Sequence, residues 1–179
     1  MVVLKWVLIV LGLLIALVLI VALFVNKQYE IEREIVINKN KAQVFDYIRL
    51  LKNQDYYSKW NMTDPNSKRE YKGNDGTVGF YTSWDSENKS VGKGEQSIAK
   101  IIEGERIEFD LHFIMPFDGK ATSYMALTAV NENQTSVKWG FKSSMPYPMN
   151  IMRLIMNMEK MLGDDLQVGL NNLKSNLEK

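Results

Sequence analysis

The 179-residue chain contains no cysteine and only one histidine, His112. Without thiols it can form no disulfide, no thiolate nucleophile and no zinc–thiolate or iron–sulfur centre. A single imidazole also excludes metal sites built from clustered histidines. We therefore expect neither a metal site nor a cofactor.

The chain also lacks an excess of charge of either sign. Its 22 basic and 21 acidic residues give a formal net charge of +1, and they are spread along the sequence. Such a balance disfavours partners that are recognised through a strong global field, nucleic acid above all. We expect no nucleic-acid partner.

One long hydrophobic run is present, at residues 1–25, and Lys5 is its only charged residue. As a helix rising ~1.5 Å per residue, this run could cross a ~30 Å hydrocarbon core. A cleaved signal peptide normally has a shorter apolar region that ends at small residues, whereas this run ends in "ALFV". We therefore interpret residues 2–25 as a retained single-pass anchor in the cell membrane. Basic residues flank both ends, so the side on which the rest of the chain lies stays open.

We therefore divide the chain into an anchor with a short linker at 1–27 and one domain at 28–179. A domain of this length usually has a single hydrophobic core. The first segment of this domain, "YEIEREIVI", alternates apolar and polar residues and predicts a strand with one polar face. The segment "KAQVFDYIRLL" has apolar residues at helical spacing, and "NQDYYSKW" predicts a second short helical or turn segment. Two short helices are therefore expected after the first strand.

Beyond Pro65, strand-like runs are separated by turns rich in glycine, asparagine and acidic residues. The connections are as short as those of hairpins, so we expect the strands to be consecutive and antiparallel. With the first strand they make seven. The predicted runs are residues 67–72, 77–84, 90–102, 106–114, 120–130 and 134–141.

The apolar face of this sheet needs a cover, and the last segment, from about Pro148 to Leu177, is the one long amphipathic element available. At ~100° per residue its apolar side chains fall in one arc. We therefore expect a long carboxy-terminal helix to lie across the sheet. The residues of the arc are Ile151, Ile155, Leu162, Leu166, Leu173 and Leu177.

This order of elements resembles the helix-grip fold of the SRPBCC superfamily, also called START-like, and within it the polyketide cyclase/dehydrase-type proteins. The resemblance implies an α+β fold in which a curved seven-stranded antiparallel sheet wraps a long carboxy-terminal helix. It also implies a cavity between sheet and helix that holds an apolar molecule, with no catalytic constellation common to the superfamily. The segments that carry it are "IEREIVINKNKAQVFDYI", "SKW", "GTVGFYTSW", "VGKGEQSIAKIIEGERIEF", "TSVKWGF" and "MPYPMN".

Two groups of side chains are candidates for binding a ligand in such a cavity. The aromatic candidates can either line a cavity or fill it as core. Three methionines fall within about 60° of one another on the last helix, and their flexible thioethers suit a pocket rim. A Cu(I) site is disfavoured because no cysteine or histidine lies nearby. The candidates are Trp84, Phe109, Phe113, Trp139, Met149, Met152 and Met156.

Polar candidates for acid–base chemistry are few. On a helical wheel Glu159 falls inside the apolar arc, where it would need a partner or a raised pKa. It is either a pocket group or a member of a structural ion pair, and Tyr124 could assist it in proton transfer. These two residues are weak catalytic candidates. His112 shares its strand face with Asp110, opposite the apolar residues, so alternation places it outside the core.

Three functions remain open from the sequence. The first is a membrane-anchored module that binds a hydrophobic or amphipathic small molecule, lipid-like or polyketide-like, between sheet and helix. The second is an enzyme of the cyclase/dehydrase type that uses acid–base residues in the pocket. The third is a non-catalytic protein-interaction or stress-associated domain. The ligand, any reaction and the oligomeric state are not determined by the sequence.

Overall fold

A computed structural model describes residues 2–179. It begins with an apolar helix, α1 (Val2–Phe24), which is long and apolar enough to cross a membrane. Ala22 is the one buried residue of α1. The helix therefore does not serve as a core helix for the described part of the chain.

The remaining elements follow the predicted order. The first strand is followed by two short α-helices with a 3-10 helix between them, the other six strands then run consecutively, and a second 3-10 helix precedes the last helix. The elements before the meander are β1 (Gln28–Ile37), α2 (Lys41–Arg49), a 3-10 helix (Leu51–Tyr56) and α3 (Lys59–Thr63). The later elements are β2 (Lys68–Lys72), β3 (Tyr81–Asp85), β4 (Lys93–Ile102), β5 (Arg106–Met115), β6 (Gly119–Asn131), β7 (Gln134–Ser144), a second 3-10 helix (Met149–Leu154) and α4 (Met158–Leu177).

All seven strands form one antiparallel sheet in the order β1-β7-β6-β5-β4-β3-β2. The predicted α+β helix-grip fold, with its apolar amino-terminal helix, is confirmed. Two strands begin later than predicted, β3 at Tyr81 and β4 at Lys93. The reason is that Gly79 and Gly92 have positive φ angles of 87° and 65°, which belong to turns rather than to extended backbone.

The core lies between the inner face of the sheet and the helices α2 and α4. Asn40 caps α2 and Asn157 caps α4, each through a side-chain oxygen that accepts a backbone N–H three residues later. These caps fix where the two helices start and therefore which side chains they turn toward the sheet. The fully buried apolar side chains include Ile37, Phe45, Ile48, Ile98, Ile107, Phe109, Met125, Leu166, Leu170 and Leu173.

The prediction of one continuous helix from Pro148 was wrong for its first ten residues. The Asn150 side-chain amide donates to the backbone oxygens of Ala22 at 2.7 Å and Val25 at 2.8 Å, and so holds the Met149–Leu154 helix against the end of α1. Helical geometry restarts only at the Asn157 cap. Ile155 is consequently 76% exposed instead of covering the sheet.

Close packing of α4 on the sheet depends on Gly169. A Cβ atom at this position would lie 2.6 Å from Cζ3 of Trp139, well inside van der Waals contact. Trp139 cannot easily move aside, because it is buried and its indole Nε1 donates to Ser123 Oγ at 3.0 Å. The missing side chain therefore sets the distance between helix and sheet.

We expect Gly169→Ala to lower the free energy of unfolding, because overpacking of a rigid core site costs ~1–3 kcal/mol, more than the gain of up to ~1 kcal/mol in helix propensity. Denaturant unfolding of the full chain in detergent micelles, followed by near-UV circular dichroism, measures the change. The control is Asp164→Ala on the exposed face of α4, which we expect to leave stability unchanged or slightly raised. A Gly169→Ala protein as stable as the parent would contradict the close contact.

Candidate functional site

A cavity of about 150 Å³ lies between the inner face of the sheet and α4, and the Leu51–Tyr56 helix and α3 contribute to its walls. Small closed sheets are often filled by their own side chains. Here the side chains leave space. The apolar residues that line the cavity are Leu51, Trp60, Tyr71, Trp84, Val91, Leu111, Phe113, Trp139, Phe141, Leu162 and Leu166.

The deep wall of the cavity presents apolar surface because its polar atoms are already paired. Trp139 donates its N–H to Ser123 Oγ, and that hydroxyl donates to the backbone oxygen of Gly140 at 2.8 Å. Trp84 donates its N–H to the backbone oxygen of Val91 at 3.3 Å. A molecule in contact with this wall would meet ring faces and aliphatic carbons.

A cluster of polar side chains forms the more exposed side of the cavity. Asp55 Oδ1 accepts from Arg69 Nη1 at 2.7 Å and from Asn61 Nδ2 at 2.8 Å. Asp55 Oδ2 accepts from the hydroxyl of Tyr71 at 2.8 Å. Tyr71 is exposed and the other three residues are half-buried, so this cluster lies where the cavity approaches solvent. We call Asp55, Asn61, Arg69 and Tyr71 the polar mouth.

The polar mouth is internally satisfied. Burial, together with the hydrogen bond to Asp55 and its negative charge, raises the pKa of Tyr71 to about 12. The phenol therefore stays neutral and continues to donate at physiological pH. Since the Asp55 carboxylate already accepts three hydrogen bonds, it is poorly placed to act as a general base.

Gln54, which lines the cavity, has a buried side-chain donor without a hydrogen-bond partner among residues 2–179. The residue is 5% exposed, and the donor is its Nε2. An unpaired buried donor costs ~1–3 kcal/mol. A ligand that offered an acceptor atom to this amide would recover part of that cost.

Three of the predicted ligand-binding residues line the cavity: Trp84, Phe113 and Trp139. Phe109 is buried in the core beneath it and does not line it. Alternation along the strands predicts Phe109, Phe113 and Trp139 on the inner face. Which inner-face residue lines the cavity and which fills the core depends on tertiary packing.

The methionines predicted as a pocket rim are not at the cavity. Met149 and Met152 lie in the second 3-10 helix, and Met156 lies in the turn before α4. This correction follows from the break in the helix, because the helical wheel that grouped them assumed continuous helical geometry from Pro148 onward.

Glu159 is also outside the cavity, and its predicted place in the apolar arc was wrong. Its side chain is 62% exposed, and its Oε1 accepts from Arg33 Nη1 at 2.7 Å. Arg33 Nη2 donates in addition to the backbone oxygen of Glu159 at 3.1 Å. Because α4 begins at Met158, Glu159 lies in its first turn beside β1, in a structural ion pair.

Tyr124 lies on the outer face of the sheet, opposite Ser123 and Met125. Its ring is stacked beneath the guanidinium of Arg106, with 3.6 Å from Cζ to the ring centroid. A Cβ on Gly140 would come within 2.2 Å of the same ring. The hydroxyl of Tyr124 therefore cannot act on a molecule in the cavity, and the pairing with Glu159 is excluded by position.

His112 also lies on the outer face, where it lines a separate open groove of about 650 Å³. Its Nδ1 is 3.1 Å from Glu95 Oε1 and its Nε2 is 2.8 Å from Asp118 Oδ1. These two carboxylates, Glu95 foremost, raise the pKa of His112. A histidine held between two carboxylates is stabilised as a cation and is a poor general base near neutral pH.

We expect the C2 proton of His112, observed by nuclear magnetic resonance on this single-histidine chain, to titrate above the usual value of 6.5. The stability that the charged ring contributes is complete below that value and is lost as pH rises through the higher folded pKa. Asp118→Asn should move the titration down, whereas Asp46→Asn, an exposed change on α2, should not move it. An unshifted midpoint in the parent chain would contradict the paired geometry.

We expect Asp55→Asn to lower the pKa of Tyr71 from about 12 toward that of an ordinary tyrosine, because the negative charge beside the phenol is removed. The pKa of Tyr71 should stay above that of an ordinary tyrosine, because the phenol remains partly buried in the variant. Absorbance titration of tyrosinate in the full chain measures it, and Tyr71→Phe identifies which of the eight tyrosines is responsible. Identical titration curves for parent and Asp55→Asn would show that the contact does not form.

No protein-family model matches the chain, and no curated protein matches its sequence. Solved structures do match its fold, although all three described next are less than 25% identical to it. A protein from Thermus thermophilus is 15% identical with a TM-score of 0.59, and the match covers 83% of this chain and 97% of that one.

Norcoclaurine synthase from Thalictrum flavum, in truncated form, is 8% identical with a TM-score of 0.62, over 84% of this chain and 93% of the other. The di-domain ARO/CYC StfQ of the steffimycin biosynthetic pathway is 10% identical with a TM-score of 0.62. That match covers 85% of this chain and 52% of StfQ, so the chain spans about half of that protein. At these identities the likeness shows the helix-grip fold, and membership of the polyketide cyclase/dehydrase group stays a prediction.

Proposed function

We propose that the chain is a membrane-anchored module that binds a small amphipathic molecule in the cavity between the sheet and α4. The observation that carries the proposal is the buried Nε2 of Gln54, which has no hydrogen-bond partner among residues 2–179, on a residue that lines a mainly apolar cavity. Ligand sites generally combine apolar walls with a few well-placed polar groups. The expected ligand therefore has an apolar body and a neutral hydrogen-bond acceptor.

The size of the cavity restricts this ligand. A dry apolar cavity of about 150 Å³ is known to take up benzene, and the cavity here has a volume of about 150 Å³. One ring or a short chain fits within it. A larger lipid-like or polyketide-like molecule would have to extend past the polar mouth formed by Asp55, Asn61, Arg69 and Tyr71.

The charge of the site supports a neutral acceptor rather than an ion. The charged residues that line the cavity are Asp55 and Arg69, and these two neutralise each other across 2.7 Å. An ionic ligand group would have to break this pair to find a partner of its own. The Nε2 of Gln54 has no partner among residues 2–179 that it would have to give up.

The proposed anchor supports binding of a molecule that is dissolved in the membrane. With residues 1–27 as anchor and linker, the domain at 28–179 stays next to the bilayer, where the effective concentration of an amphipathic ligand is raised. The exposed apolar surface of α1 fits this placement.

Two of the similar structures carry the printed names of a synthase and of an ARO/CYC protein, so an enzyme is the alternative. Acid–base catalysis would need a titratable group that faces the cavity and is free to exchange a proton. Asp55, Arg69 and Tyr71 are the titratable side chains that line the cavity, and all three are engaged with one another. This favours binding over catalysis.

We expect the chain, in lipid nanodiscs, to bind acetophenone more tightly than ethylbenzene, by about threefold to tenfold, as one net hydrogen bond allows. The two probes have similar shapes and differ in the carbonyl that Gln54 would donate to. Ligand-observed nuclear magnetic resonance, corrected with empty nanodiscs, measures both affinities. Native mass spectrometry of the extracted chain tests independently for a co-purifying molecule.

The matched variant is Gln54→Met, which keeps the side-chain volume and removes the donor. It should bind both probes equally and should remain folded, because the amide of Gln54 makes no hydrogen bond through Nε2 that would be lost. Leu111→Trp, which fills the cavity, should bind neither. Equal affinities for the two probes in the parent chain would refute the role of Gln54, and no binding of either probe would refute the cavity.

A further inference from the structure

One end of the sheet lies beside the carboxyl end of α1. The backbone N–H of Met145 donates to the oxygen of Lys27 at 2.9 Å, and Gln28 of β1 pairs with Ser144 of β7. Because all strands are antiparallel, β5 ends and β6 begins at this same end, joined by the turn after Met115. We call it the anchor end.

The second 3-10 helix is fixed to α1 at the anchor end by side-chain hydrogen bonds to backbone oxygens. Asn150, which is fully buried, donates to Ala22 and Val25, and the Tyr147 hydroxyl donates to Leu19 at 3.4 Å. The last carbonyls of a helix lack intrahelical partners, which is costly where water is scarce. Asn150 satisfies two of these groups at the point where α1 ends.

Arg153 strengthens the same junction. Its Nη1 donates to the backbone oxygens of Asn26 and Gln28, the latter at 2.9 Å, and its guanidinium lies over the ring of Tyr29 at 5.5 Å. The segment that joins α1 to β1 is therefore held on both sides, and the domain cannot rotate freely about it.

Large apolar side chains remain exposed on two separate segments of the anchor end. Isolated exposed apolar residues are common, but a group of them beside a membrane-length helix indicates an interaction surface. We call these residues the anchor-end patch. They are Met115 at 59%, Phe117 at 77%, Met149 at 54%, Leu154 at 64% and Ile155 at 76% exposure.

We propose that the anchor-end patch inserts into the headgroup region of the same bilayer that α1 crosses. The inference rests on the proposed membrane anchor. A bilayer is the occupant that the contacts favour, because Tyr147 reaches the backbone of α1 at Leu19, within the apolar run itself. The patch thus begins at the level where α1 leaves the hydrocarbon core, and apolar side chains at that level gain from burial among lipids.

This placement also orients the cavity. Trp84, Val91 and Phe113 line it, and all three lie where β3 ends, β4 begins and β5 ends, which is the anchor end. This part of the aromatic wall therefore lies at the anchor end, together with Arg69 of the polar mouth, which pairs with Trp84 in the register of β2 and β3.

The absence of native cysteine allows a direct test. Single cysteines replace Phe117, Ile155 or, as the matched control, Val130, which is apolar and 53% exposed but lies at the opposite end of the sheet. Each full-length chain is labelled with an environment-sensitive fluorophore and reconstituted into liposomes of phosphatidylcholine with or without bromine on the acyl chains. We expect labels at 117 and 155 to be quenched several-fold more than the label at 130.

The outcomes separate this inference from the proposed anchor. Resistance of the chain to alkaline carbonate extraction, with equal quenching at the three sites, would leave the anchor and refute the lipid contact. Extraction by carbonate would refute both. Labels at 117 and 155 that are shielded from aqueous iodide as well as from brominated lipid would assign the patch to a protein partner or a second copy, and so overturn the proposal. Met149 and Leu154 are alternative label sites if either variant fails to fold.

Discussion

The contact between Trp139 and Gly169 is the constraint on which the rest of the structure depends. The Trp139 ring lies against α4 on one side and packs edge-on to Tyr57 and Trp60, with centroid distances of 5.7 and 6.4 Å. It therefore ties the sheet, the carboxy-terminal helix and the short helical segments to one point. The same ring is part of the cavity wall. This close contact and the cavity share a boundary, so a buried, hydrogen-bonded side chain sets part of the shape of the cavity.

The polar side chains at the cavity include a network of mutual hydrogen bonds and one buried donor without a partner. Asp55, Arg69, Asn61 and Tyr71 satisfy one another, and their hydrogen bonds join the first helical segments to β2. Gln54, next to Asp55 in the sequence, is left with an unused donor. A network whose hydrogen bonds are all made keeps its geometry and discriminates little between ligands. An unpaired buried donor instead favours ligands that carry an acceptor atom. On the proposed function, we therefore expect specificity to depend on Gln54 and the architecture of the site on its neighbours.

The strands and the inward position of Phe113 and Trp139 could be predicted from the sequence, because the pleat of a strand fixes a period of two regardless of what lies nearby. The residue at which the last helix begins, and therefore the direction of the side chains before it, could not be predicted in this way. The helical wheel that placed Glu159 and Met149 in one apolar arc assumed a helix from Pro148 onward. Hydrogen bonds between Asn150 and the end of α1, about 125 residues earlier in the chain, interrupt it. No local pattern encodes such a contact, nor the meeting of Asp55 with Arg69.

The methionine-rich segment lies at the end of α1 and not at the cavity, which changes how α1 and the cavity are related. If this segment formed a pocket rim, as predicted from the sequence, it would contribute to the ligand site alone. As the segment that satisfies the last carbonyls of α1 through Asn150, it joins the apolar helix rigidly to the domain. A flexible linker would raise the local concentration of ligand but leave the orientation of the cavity random. A junction held by hydrogen bonds gives the cavity, with Trp84 and Phe113 at the anchor end, one orientation relative to α1. On the proposed membrane placement, capture of a ligand then needs a short lateral path instead of transfer through water.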